Sequence, residues 1–193
     1  VYFFSIMAER PFFGGAITGV IPHGFIDASE LRQIPDNHEV FLNPQTDACI
    51  IIELLAITPD VRNEDLAMYH FQELAKENAA AFEVVQCNVL PDDHMPRLPG
   101  ANEAFKQVIN GVQKVAKFKE TAENTVNIHL AVVRLGAPHD TEILLSFSAP
   151  SHIAEGSSSK GLQPMGGNKE LCEQIFKQLL CSFDIREYGL FQG

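Results

Sequence analysis

The run CIIIELLAI at residues 49–57 constrains this chain more than any other stretch. Eight of its nine residues are apolar, which predicts a strand over 49–57 buried on both faces. It is too short to span a membrane. Such a strand needs neighbours on both edges and cover on both faces, so the remaining sequence must supply a sheet and helices.

Strands are predicted over 16–21, 38–42, 81–90, 125–135 and 141–149, the last two joined around Gly136 to Asp140. Thr58-Pro59 reads as an N-cap followed by proline at the first helical position. It predicts a helix over about 60–78, with Ala67, Phe71 and Leu74 at helical spacing. Asn168 is placed to cap a second helix to about Phe183, with Leu171, Ile175 and Leu179 as its stripe. Asn110-Gly111 between β-branched runs predicts a hairpin, with strands over 105–109 and 112–118. Residues 91–100 hold three prolines and read as a loop. Residues 150–167 are rich in Ser and Gly and are expected to be a mobile loop.

These elements predict an α/β (α+β) fold, a mostly antiparallel sheet sandwiched by helices, as one domain over 1–193. A hydrophobic fraction of 46% is enough for a real core. The four cysteines sit in apolar contexts with no CxxC spacing, and read as buried thiols in a reducing compartment. Residues 1–6 are expected to be foreign to the natural chain, with Met7 as its start. They show neither the basic region nor the cleavage site of a signal peptide.

The net charge of −11 argues against nucleic acid, which demands a basic footprint. It favours a basic protein partner, although acidity often serves solubility alone. The charge is unevenly spread. Between Asp27 and Glu53 stand Asp27, Glu30, Asp36, Glu39, Asp47 and Glu53, against Arg32 alone. Each acid also has an ordinary explanation. Asp27-Ala28-Ser29-Glu30 has capping-box spacing, Asp36 sits in a turn signal, and Glu39 suits an exposed strand position. Their crowding is what suggests a binding face.

Motifs for chemistry are absent from the sequence. There is no G-x-x-x-x-G-K-[ST], no G-x-G-x-x-G, no H-E-x-x-H and no G-x-S-x-G. No cofactor or metal is expected, and the chain reads as a binding protein rather than an enzyme. Glu53 is the best catalytic alternative, since a carboxylate in an apolar strand can serve as acid or base in a pocket. Its ordinary reading is pairing with Arg32 or Arg62, or placement at the solvent end of its strand. Cys49, His70 and His129 have no shared spacing and read as core.

The segment GGAITGVIPHGFIDASELRQIPDNHEVF resembles the N-terminal signature of the Mog1 family of Ran-binding proteins. The matching parts are Gly14-Gly15-Ala16, Pro22-x-Gly24-Phe25-Ile26-Asp27-Ala28-Ser29, Leu31-Arg32, Pro35-Asp36-Asn37-x-Glu39-Val40-Phe41 and Ile51-Ile52-Glu53-Leu54-Leu55. Weaker similarity continues to the C-terminus. The resemblance implies a sandwich fold shared with the photosystem protein PsbP. It implies binding to the small GTPase Ran, release of its guanine nucleotide and a role in nuclear protein import. The alternative within that resemblance is a Ran adaptor without exchange activity. Carried over residue by residue, the acidic contact comprises Asp27, Glu30, Asp36, Glu39 and Glu53. Where the family pattern has a second acid three residues after Glu53, this chain has Ala56. A monomer is expected, in nucleus and cytoplasm, with no membrane partner.

Overall fold

The computed structural model describes residues 7–100, 103–117 and 120–191. Residues 1–6, expected to precede the natural start, lie outside the described residues, as does Phe118 at the end of a predicted strand.

Among the described residues, two antiparallel sheets and two α-helices make up the fold. Strands β1 (Met7–Phe12), β2 (Ile17–Pro22) and β10 (Asp184–Ile185) form the smaller sheet in the order β1-β2-β10. The larger sheet contains β3 (Ile26–Asp27), β4 (His38–Leu42), β5 (Cys49–Ala56), β6 (Ala81–Val89), β7 (Ala104–Ala116), β8 (Glu123–Leu135) and β9 (Thr141–His152). Its order is β3-β4-β5-β9-β8-β7-β6. Helix α1 (Leu66–Glu77) lies on one face, and α2 (Lys169–Ser182) and the small sheet cover the other. This is the mostly antiparallel sheet between helices expected from the sequence.

Each face of the larger sheet has its own core. Towards α2, Ile50, Ile52, Leu145 and Phe147 pack with Phe12, Ile17, Ile21, Leu179 and Phe183, all fully buried. Towards α1, Ile128, Leu130, Val132 and Leu144 pack with Leu66, Ala67 and Phe71. Alternation along each strand divides its side chains between these two cores.

The apolar run 49–57 is not equally buried on both faces. Ile50 and Ile52 have no exposure, while Cys49, Ile51, Glu53 and Leu55 are half-buried. Helix α1 packs over β6, β7 and β8, at the far side of the sheet. It therefore leaves the α1-side face of β5 partly open, and that opening positions the candidate site.

The long helix begins later than Thr58-Pro59 predicts. A 3-10 turn at Asn63–Asp65 precedes α1, which starts at Leu66. Thr58 is not a cap: its amide and hydroxyl both donate to Glu142 Oε1, at 2.9 and 2.8 Å. The carboxylate it meets comes from β9, 84 positions away, so no local pattern announces it.

The hairpin predicted at Asn110-Gly111 is absent. Both residues lie inside the 13-residue strand β7, paired with His129 and Ile128 of β8. A Cβ on Gly111 would fall 2.6 Å from the Phe71 ring and 2.5 Å from the Glu83 carbonyl oxygen. The glycine marks a close approach of α1 and β6 to the strand, and β6 bulges opposite it, between Val84 and Gln86.

In the serine-rich segment, β9 runs through His152, and the remainder bonds to β8 and to the loop at 45–47. Ser157 and Ser159 are 4% and 2% exposed. Ser159 Oγ donates to Asp47 Oδ2 at 2.7 Å, and Asn124 Nδ2 donates to Ser157 Oγ at 3.1 Å. Helix α2 starts as expected, with Asn168 Oδ1 accepting from the Leu171 amide.

Candidate functional site

The predicted acids gather at one end of the larger sheet, Asp27, Glu39 and Glu53 on strands β3, β4 and β5 and Glu30 and Asp36 in the connection from β3 to β4. They do not share one face. Cross-strand partners in an antiparallel sheet point the same way. Asp27 pairs with Phe41 and Glu39 with Ile52, both members of the core facing α2. Glu53 pairs with His38 on one side and Leu144 on the other, and Leu144 belongs to the core under α1. Glu39 and Glu53 therefore leave the sheet in opposite directions.

Asp27 and Glu30 frame a short turn. Asp27 caps the 3-10 helix Ala28–Glu30, its Oδ1 accepting from the Ser29 amide at 2.8 Å. The other half of the capping box is replaced by 3-10 geometry. The Leu31 and Arg32 amides both donate to the Ala28 carbonyl at 3.0 Å, and Glu30 is left exposed. Asp36 is exposed in the turn before β4. Its neighbour Asn37 secures that turn, donating from Nδ2 to the Leu54 carbonyl at 3.0 Å and accepting from the Leu54 amide at 2.9 Å.

Glu39 is not a free surface acid. Its Oε1 accepts a hydrogen bond from the backbone amide of Phe13. Phe13 sits at φ 51°, an unusual conformation for a bulky residue. Burial pushes the Glu39 carboxyl above its ordinary range; the Phe13 bond opposes that shift, and the charge of Asp27 adds to it. Glu39 thus ties the larger sheet to the turn leading into β2.

Glu53 lies in a groove between β5 and α1. The cavity, about 320 Å³ and open to solvent, is lined by His38, Glu53, Tyr69, His70, Glu73 and Glu77 among others. Glu53 pairs with His38 at 3.3 Å, not with Arg32 or Arg62. Arg62 is taken up by Glu64 and Asp65, each at 2.8 Å. Burial pushes the Glu53 carboxyl up, His38 lowers it, and the charge of Glu77 raises it again. Glu73 and Glu77 extend the acidic wall from the helix. They follow Glu53 by 20 and 24 residues, and their polar-face positions carried no signal of proximity to it.

Behind the groove is a buried ionic network. Glu142, with no exposure, accepts from His70 Nε2–H at 2.6 Å and from Arg134 Nε and Nη2 at 2.9 and 2.7 Å. Burial would raise the Glu142 carboxyl, but bonds from His70, Thr58 and Arg134 outweigh it and hold the pKa at about 2. Arg134 also donates to the carbonyls of Val61 and Thr58. The network fixes the segment between β5 and α1, and with it one end of the groove.

His129 is separate from Cys49 and His70. Its Nδ1 is 2.9 Å from Asn110 Oδ1, and its ring stacks on Phe147. These three residues do not meet as a Cys/His site: His129 lies towards α2, with Phe147 and Phe176, while His70 lies on α1.

Fold and site together define a two-sheet α/β protein with an acidic sheet end and an acidic groove beside it. A family model described as Ran-interacting Mog1 protein matches residues 10–150. The Ran guanine nucleotide release factor of Danio rerio is 40% identical over 190 residues, covering 95% of this chain and 99% of the relative. The Ran guanine nucleotide release factor of Homo sapiens is 38% identical over 184 residues, covering 95% and 96%. The crystal structure of the Saccharomyces cerevisiae Ran-binding protein Mog1p superposes with a TM-score of 0.66 at 26% identity, covering 96% of this chain and 98% of that one. The chain belongs to the Mog1 family.

Proposed function

We propose that this chain binds the small GTPase Ran through the acidic end of its larger sheet and promotes release of the bound guanine nucleotide, in support of nuclear protein import. The observation that carries the reading is full-length similarity to relatives named Ran guanine nucleotide release factor. The exposed acids Glu30 and Asp36 are the direct contacts, with Glu53 reached through the groove. Asp27 and Glu39 shape the surface, one by capping the turn and the other by holding Phe13. The chain acts as a monomeric binding protein, in nucleus and cytoplasm, with neither nucleic acid nor membrane as partner.

The mechanism is linkage. A protein that prefers nucleotide-free Ran must weaken nucleotide binding by the same factor. Carboxylates at the sheet end would compete with phosphate for basic groups on the GTPase, and no nucleotide pocket on this chain is required. The test is release of labelled GDP and GTP from Ran with and without the protein. Acceleration supports the reading. Binding without acceleration would identify an adaptor instead.

The cavity beside Glu53 favours a second reading, a small-molecule enzyme with Glu53 as acid or base. Its test is Glu53→Gln: this reading requires loss of turnover of a ligand seated in the groove, with Ran binding unaffected.

A further inference from the structure

Two large apolar side chains stand exposed at the acidic sheet end. Leu31 is 65% exposed and Ile26 is 37% exposed. Ile26 belongs to β3, the outermost strand, and Leu31 closes the 3-10 turn that follows it. Around them in sequence stand Asp27, Glu30 and Asp36, with Arg32 the one base. The other run of exposed apolar residues, Phe82, Val85 and Val89 on β6, carries Glu83 as the only charged residue of its own strand, and Lys169 and Glu173, of opposite sign, share a cavity with Val85.

The turn that presents Leu31 is held from below. Phe25 is 2% exposed and Ala28 is fully buried. Asp27 Oδ1 holds the Ser29 amide, and the Ala28 carbonyl accepts from both Leu31 and Arg32. Leu31 therefore projects from a fixed backbone, and a partner that covers it meets little ordering cost in this turn. An apolar centre with a charged rim is the anatomy of a specific protein interface.

Resting on the Ran-binding reading above, we infer that Leu31, supported by Ile26, is the apolar anchor of that interface. It inserts into an apolar socket on the partner whose surrounding basic groups meet Glu30 and Asp36. The charge complement selects the occupant: a second copy of this chain would bring the same acids against themselves. The acids and the leucine then have separable roles. Charges at a rim set the rate of encounter and its salt dependence, whereas a desolvated anchor sets the lifetime of the complex.

The experiment measures association and dissociation rates on nucleotide-free Ran at several salt concentrations, for the wild type and for Leu31→Ser, Leu31→Ala, Leu31→Met and Asp36→Lys. Thermal unfolding of each variant confirms the fold, which an exposed position should leave intact. Leu31→Ser and Leu31→Ala should dissociate about tenfold faster with unchanged association rate and salt slope, and Leu31→Met should restore the wild-type lifetime. Asp36→Lys should slow association and flatten its salt dependence. Dissociation of the serine and alanine variants within twofold of wild type would overturn the anchor and leave Ran binding standing. Failure of the wild type itself to bind would remove the Ran reading, and the anchor with it.

Discussion

Gly111 and Phe71 are in contact across the α1–sheet interface, so close that a β-carbon on Gly111 would lie 2.6 Å from the phenylalanine ring. The helix sits on the strand at the one position where a side chain is missing. Asn110 beside it is committed to His129. A dipeptide that reads locally as a turn is here a packing device.

Gly111→Ala should therefore destabilise the protein by about 2–3 kcal/mol, in the range of core overpacking. Urea unfolding checks the magnitude. Phe71→Leu in the same chain should recover only part of the loss, because the Glu83 carbonyl still blocks the new methyl group at 2.5 Å. An alanine variant as stable as the wild type would mean that the helix can shift at no cost.

Glu142 is the hub of the buried ionic network. Glu142→Gln leaves Arg134 and His70 without their anion and should cost about 3–5 kcal/mol. The native carboxyl is held at about 2 against an ordinary 4.5. Its contribution is thus complete above 4.5 and is lost as the pH falls through 2. Urea midpoints between pH 5 and 2 should fall for the wild type and fall less steeply for the variant.

His129 sets a different pH window. Burial against Phe147 and Phe176 holds its pKa at about 4 instead of 6.5. The unfolded chain takes up a proton near 6.5 that the folded chain refuses until about 4. Stability is therefore full above 6.5 and declines as the pH drops from 6.5 to 4. A shift of this size is worth up to about 3 kcal/mol. His129→Phe should flatten that decline whatever its effect at neutral pH, and equilibrium unfolding across the window reads it directly.

Glu39 should behave as a structural residue. Glu39→Ala leaves the Phe13 amide without its acceptor and should lose about 1–2 kcal/mol. Glu39→Gln keeps an oxygen in place and removes a carboxylate that burial disfavours, so it should cost less. Thermal unfolding of the pair separates the hydrogen bond from the charge. Charge reversal aimed at partner binding is cleaner at Asp36, which is exposed and carries no comparable tie.

Much of this architecture was legible in the chain. Strand β4 matches its predicted span, β5 ends one residue short of it, and α2 starts at the cap that Asn168 announces. These are signals of near neighbours: alternation, helical spacing, and a side chain reaching three residues ahead. The acidic crowding at 27–53 is legible for the same reason, since it is a count along the sequence.

What only the tertiary structure decided involves partners brought from far away. Thr58 looks like a cap until Glu142 arrives from β9 to claim it. Glu39 and Glu53, grouped together by sequence, are sent to opposite faces by a strand register that alternates direction at every residue. Glu73 and Glu77 join Glu53 only because α1 lies over β6 to β8 and brings its edge beside β5. Local chemistry sets which elements form. Which of their side chains meet is set by register and packing, where one residue of slip would exchange the two faces.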